Sequence, residues 1–131
     1  MTHTAVETGL YGALSTSAGT AFFGTRIYAE QAPAGATLPY VRFSLVSGGD
    51  EQLTPDRSIN LMYQVECWAA TQADARTGAG YLESALNHVP ISVSGYTVFW
   101  QGIEGWISDV ENVEGKQYWR RGFEVRINAS K

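Results

Sequence analysis

The chain has 131 residues, a length that favours one domain over two and buries roughly two-thirds of its unfolded surface without help from a disulfide or metal. Apolar residues make up 44%, and no apolar run approaches the roughly 20 residues of a spanning helix, so disordered and transmembrane classes are disfavoured. A net charge of −4 argues against a nucleic-acid binder driven by phosphate neutralisation.

The first residues, Met1-Thr2-His3-Thr4-Ala5, lack the basic patch and apolar core of a signal peptide. The single cysteine, Cys67, has no partner within the chain, which points to a reducing interior or a redox-indifferent particle. The Asn128-Ala129-Ser130 sequon then reads as a chance match. Charged residues are only 17%, against a typical ~25%, while four Trp, seven Tyr and five Phe are generous for this length. Few charges and many aromatics fit a protein that hides surface against copies of itself or other partners.

In chain order, Thr4 and Glu7 have capping-box spacing, and Val6, Leu10, Ala13 and Leu14 then recur at helical intervals. Gly9 and Gly12 weaken that helix by roughly 1 kcal/mol each, so it must dock to persist. Thr25 to Tyr28 is a short extended piece, and Ala32 to Pro39 a loop. From Tyr40 to Ser47, Val41, Phe43 and Leu45 alternate with Arg42 and Ser44, the period of a half-buried strand. Gly48 to Arg57 reads as a polar loop of about ten residues, longer than the median connection. Ile59, Leu61, Tyr63, Val65 and Cys67 alternate with Asn60, Gln64 and Glu66 as a second strand, antiparallel to the first. Thr71 caps a second helix whose apolar positions run from Ala75 through Ala79, Leu82, Ala85 and Leu86 to Val89, with Pro90 as its stop.

The last third is all strand. Ile91 to Val93 and Tyr96 to Trp100 flank a Ser94-Gly95 turn. Trp106 to Val113 and Lys116 to Ile127 flank the two-residue turn Glu114-Gly115. That register sets Trp106 and Val110 against Phe123 and Trp119 on one side, and Asp109 against Arg120 on the other. The fold class is therefore α+β: a mainly antiparallel sheet with two helices packed on one face, a single domain over residues 1–131.

A search for chemistry comes back empty. His3 falls at a terminus expected to fray, and His88 sits in the last helical turn, where the dipole favours it. Two distant histidines without nearby cysteines make no metal site. Cys67 reads as a small buried hydrophobe. No Gly-x-Ser-x-Gly elbow is present, Gly115-Lys116 lacks the rest of a phosphate loop, and Gly78-x-Gly80 falls inside a helix. Asp109, Glu111 and Glu114 read as solvated hairpin carboxylates, and Arg120, Arg121 and Arg126 are too well matched by acids to form a DNA groove. The reading is of a non-enzyme with no cofactor and no metal.

What remains is a module that docks. The candidate contact residues are Gly49, Asp50, Glu51, Gln52, Asp56 and Arg57 in the long loop, and Glu111, Glu114 and Lys116 at the hairpin tip. Asp50 or Glu51 of one copy is expected to pair with Arg57 or Arg26 of the next. A sheet with an exposed edge is also able to extend its pairing to a neighbour.

The order of segments resembles a known family. A short helix ending in Ala13-Leu14 precedes Arg26-Ile27-Tyr28; a proline-containing loop leads into Leu38-Pro39-Tyr40-Val41; a strand closes on Val65-Glu66-Cys67-Trp68. The helix to Leu86, a run of strands and Gly122-Phe123-Glu124-Val125-Arg126 complete a set spanning Thr4 to Asn128. The set is similar to the tail-terminator, or tail-completion, proteins of long-tailed bacteriophages and phage-like particles. The resemblance implies a six-fold ring at the head-proximal end of the tail tube, stopping tube polymerisation and joining the tail to the head connector. The implied partners are further copies of the chain, the tail tube protein and the neck proteins, with assembly in the bacterial host cytoplasm. DNA passes through the lumen without specific binding, since like charges repel within a Debye length of ~8 Å, and no membrane is involved. Head-to-tail ring contacts need two different adhesive surfaces on each subunit, which suits this composition. Two alternatives stand beside this reading: a neck or head-completion protein of the same particle, and a small ligand-binding or enzymatic α+β domain.

Overall fold

A computed structural model of the chain describes residues 2–15, 20–51 and 58–130. Its elements are α1 (Thr2–Ser15), α2 (Thr20–Phe23), β1 (Ile27–Ala29), β2 (Tyr40–Glu51), β3 (Ser58–Ala69), α3 (Gln72–Leu86), β4 (Thr97–Val113) and β5 (Lys116–Ser130). The longest alternation in the sequence, Ile59 to Cys67, lies on β3 at the centre of one five-stranded sheet of order β1-β2-β3-β5-β4. All pairings are antiparallel except β1 with β2.

Alternation assigns the two faces. Val41, Phe43, Ile59, Leu61, Tyr63, Val65, Cys67, Phe123, Val125 and Ile127 are buried in one cluster with Val6, Leu10 and Leu14 of α1 and Leu82 and Leu86 of α3. Both long helices thus lie on the same face, as expected from the sequence. A third, single-turn helix, α2, which the sequence reading does not assign, buries Phe23 in that core. Helix α3 begins at the Thr71 cap, whose side chain accepts from the Asp74 amide at 3.1 Å. It crosses β3 so closely that a Cβ at Gly78 would overlap the Cys67 sulfur. That contact explains a helical glycine which propensity alone disfavours.

Five expectations are corrected. Ile91 to Val93 is not a strand: Val93 meets Tyr96 in a single bridge about the Ser94-Gly95 turn, and one strand, β4, then runs from Thr97 to Val113. Helix α1 starts at Thr2, so His3 lies in its first turn and Thr4 inside it, its carbonyl accepting from the Thr8 hydroxyl. The segment Gly48 to Glu51 is strand, pairing with Leu61 to Ser58. It reads as loop because glycines and acids have low strand propensity, and pairing with β3 overrides that. A bulge between Leu45 and Ser47 shifts the alternation there and leaves Leu45 and Val46 exposed. Helix α3 ends at Leu86, so Val89 is exposed and His88, at φ 59°, stands beyond the cap with its ring edge-on to Trp100 at 6.4 Å.

The hairpin register holds throughout: Trp106 pairs with Phe123, Val110 with Trp119 and Asp109 with Arg120. Its turn residues, Glu114 and Gly115, have φ of 51° and 81°, the two left-handed positions that a type I′ turn demands.

Candidate assembly interface

Among the described residues no helix covers the second face of the sheet, and its side chains build a polar ladder instead. Arg42 of β2 sits opposite Glu66 of β3, its Nη2 2.6 Å from Oε1. The same oxygen accepts from the Trp68 indole at 3.1 Å, while Oε2 accepts from the Gln64 amide at 2.9 Å and lies 3.5 Å from Arg120 Nε. Arg120, on β5, continues to β4, donating to Asp109 at 3.0 Å and standing 3.9 Å from Glu111. The guanidinium carbons of Arg42 and Arg120 each lie 5.6 Å from the centroid of the Trp68 ring system, and Tyr40 stacks on Trp68 with an interplanar angle of 11°. Glu66 is fully buried under these groups, although its place among polar residues marks it as solvent-facing in the sequence. A second ladder runs from Asn60 through Arg126 to Glu104, at 2.6 and 2.9 Å.

Glycine makes the first ladder possible. A Cβ at Gly122 would overlap the Val65 carbonyl and the Glu66 backbone, so the strand approaches Glu66 without a side chain between them. Only the register of four strands reveals this arrangement. The sequence signal, one acid and two arginines on separate alternating segments, is too common to single it out.

The structure distributes the sequence-predicted contact residues unevenly. Glu111, Glu114 and Lys116 come together at the tip of the β4–β5 hairpin, with Glu111 tied loosely to Arg120. A cleft of about 260 Å³ opens beside them, lined by Pro33, Tyr40, Trp68, Glu111, Val113 and Tyr118. Burial is the main cause that holds the Tyr40 hydroxyl above its ordinary pKa. Gly49, Asp50 and Glu51 form the far end of β2, paired with Asn60, Ile59 and Ser58. Gln52, Asp56 and Arg57 lie outside the described residues. Arg26 is half-buried and works within its own chain: Nε donates to the Pro39 carbonyl at 2.8 Å and Nη2 to that of Phe22 at 3.3 Å. It thereby ties the Ala32 to Pro39 loop to α2.

Exposed apolar side chains follow a pattern of their own. Phe99, Trp100, Trp106 and Val113 are exposed on β4, one edge of the sheet, with Val89 close by. Tyr11, Leu45 and Val46 are exposed at the opposite edge, where β1 covers β2 only from Val41 to Phe43. Among the described residues no group of three His, Cys, Asp or Glu side chains is placed to hold a metal ion, and no helix is long and apolar enough to cross a membrane. Burial pushes the Cys67 thiol up to about 12, with Asp74 adding to the shift, and a thiol so held is a poor nucleophile.

The comparisons with known proteins agree with this picture. A solved chain from the virion of a native gene transfer agent particle has the same fold, with a TM-score of 0.76 at 18% identity, covering 99% of this chain and 98% of that one. A second solved chain, which carries no functional description, matches with a TM-score of 0.63 at 11% identity over 100% and 96% of the two chains. A search of the curated proteins found no match. The family model described as Tail completion protein gp17 matches residues 8–127, almost the whole length. The chain belongs to that tail completion family, and it is a structural protein of a phage or phage-like virion tail.

Proposed function

We propose that copies of this chain form a six-fold ring on the head-proximal end of the tail tube, where the ring ends tube polymerisation and joins the tail to the head connector. The family match over residues 8–127 carries the reading. The fold shared with a chain of a gene transfer agent virion supports it, as do the low charge content and the apolar side chains at two opposite sheet edges. Residues 1–131 act as one domain, without catalysis. One ring face meets the tail tube protein and the other the neck proteins, while DNA crosses the lumen without specific binding. The hairpin tip at Glu111, Glu114 and Lys116 and the far end of β2 from Gly49 to Glu51 supply polar contacts at these junctions, together with Gln52, Asp56 and Arg57.

Negative-stain electron microscopy of particles made without this gene tests the proposal. Overlong, headless tubes beside filled heads are the expected outcome. Tails of normal length beside emptied heads would move the protein to the neck and end the length-control reading.

A further inference from the structure

The two edges of the sheet differ in a way that makes one the complement of the other. From Gly105 to Val113 β4 is regular, pairs on one side with β5, and pairs with no strand on its other side among the described residues. It carries protruding aromatics: Phe99 is 61% exposed and Trp106 52% exposed. A long apolar edge of this kind is a pairing template that soluble monomers avoid. Two of the acids along it are held within the same chain, Glu104 by Arg126 at 2.9 Å and Asp109 by Arg120 at 3.0 Å, while Glu111 stands 3.9 Å from Arg120.

At the opposite edge, β2 continues past its short partner β1. Glu30 takes the last positions next to β1, its amide donating to the Phe43 carbonyl at 2.7 Å and its carboxylate accepting from the Leu45 amide at 3.4 Å. From Val46 to Glu51 no described strand pairs with that side of β2. Where β1 ends, at Ala29 opposite Phe43, a cleft of about 290 Å³ opens between these strands and Thr4, Glu7, Thr8 and Tyr11 of α1, roomy enough for an aromatic side chain.

Direction also matches. Through the antiparallel pairings β2–β3, β3–β5 and β5–β4, strand β4 runs opposite to β2. A second copy with its strands in the same orientation therefore brings its β2 antiparallel to β4, the pairing mode used by most of this sheet. Within one sheet Ser108 lies level with Val41, so the second copy is displaced along the strands by about six residues to set Ser47, beyond its own β1, opposite Ser108. Aromatic side chains bury ~150–250 Å² each, so the partly exposed ring systems and Val113 on β4 offer on the order of 300–400 Å². That is near half of the ~800 Å² per partner of a standard interface, with backbone and flanking residues to supply the rest.

We infer that the contact between copies is sheet continuation: the β4 edge of one copy, through Gly105–Val113 and the aromatics Phe99 and Trp106, seats on the β2 edge and adjoining cleft of the next. The inference rests on the ring reading above and specifies its interface. Because the two surfaces are different, the contact is heterologous and propagates head to tail until it closes.

The test uses assembled particles carrying Ser47→Cys on β2, Ser108→Cys on β4, or both, treated with a flexible bismaleimide. Cys67, buried under Gly78, stays silent. The double variant is expected to give a ladder of covalent multimers on a denaturing gel, and each single variant no self-crosslink. Dimers from Ser108→Cys alone would show a two-fold β4–β4 contact and overturn the inference. So would crosslinks from either cysteine to a protein of different mass. Averaged images of the same particles separate the two readings. A six-fold cap on the tube without a ladder overturns the edge contact alone, whereas no cap overturns the ring as well.

Discussion

Arg42 and Glu66 face each other across β2 and β3, 2.6 Å apart, on the sheet face opposite α1 and α3. Glu66 is fully buried there because side chains, not secondary structure, close over it: Trp68 and Gln64 donate to its carboxylate, and the guanidinium groups of Arg42 and Arg120 pair with it at 2.6 and 3.5 Å. The ladder thereby links four strands on the face where the hydrophobic core gives no support.

Removing the acid from this ladder leaves two arginines without their shared anion. Glu66→Ala is expected to cost about 3–5 kcal/mol, the usual consequence of deleting one member of a buried ion pair. Urea denaturation monitored by Trp fluorescence reads the loss directly, and a change below about 1 kcal/mol would show that the ladder adds nothing to the sheet.

Gln101 plays a comparable part on the other face. It is almost fully buried; its amide nitrogen donates to the Leu86 and Val89 carbonyls, both at 2.7 Å, and its oxygen accepts from the Ile91 amide at 3.0 Å. It thus satisfies the end of α3 and the turn that follows. Gln101→Leu leaves those groups unpaired in the interior and is expected to cost about 3 kcal/mol. A thermal melt should fall by roughly 10 °C for a chain of this length.

Three groups make stability depend on alkaline pH in the same direction. Cys67 is raised from its ordinary value of 9 to about 12, chiefly by burial. Tyr63 is raised by burial and then by the Glu7 carboxylate that accepts its hydroxyl, and Tyr40 is raised mainly by burial. Each holds its proton more tightly folded than unfolded, so the contribution is complete below about pH 9 and is lost as pH climbs toward 12. Stability should therefore be flat around neutrality and fall across that window, and Cys67→Ala should make the fall shallower. At pH 8 a thiol reagent should leave the native chain unlabelled and modify one thiol per chain in denaturant.

The exposed β4 aromatics separate folding from assembly. Phe99 occupies the bulge between Val98 and Trp100, so Phe99→Lys removes no core contact. The purified variant should melt within a few degrees of the parent, since exposed substitutions change stability by only about 0.5 kcal/mol. The yield of tailed, filled particles in a complementation assay should nevertheless drop at least tenfold. Normal yield would place the assembly surface elsewhere.

Much of this was legible in the sequence because it depends on neighbours. Alternation from Ile59 to Cys67, the Thr71 cap with Asp74 three positions on, and the Glu114-Gly115 turn each report a local geometry that few residues can satisfy. The hairpin register followed from its turn, and with it the Asp109–Arg120 pair. The contact residues were less legible, since polarity marks a loop or tip as exposed without saying what it meets. Arg26, whose charge marks it as a contact residue, is held by two carbonyls of its own chain.

Tertiary structure alone decided the rest. Which strand inserts between β3 and β4, and that β1 joins parallel, depends on contacts between residues far apart in the chain, and alternation does not encode strand order. The strand at Gly48 to Glu51 exists because β3 supplies partners that outweigh poor local propensity. Glu66 became a buried anion only when the register brought Arg42 and Arg120 beside it, and the apolar side chains became two opposite edges only when the sheet had formed. Local pattern determined which segments are strand or helix and which way they face; long-range pairing decided what lies at the centre, what lies at the edge, and so where another chain can join.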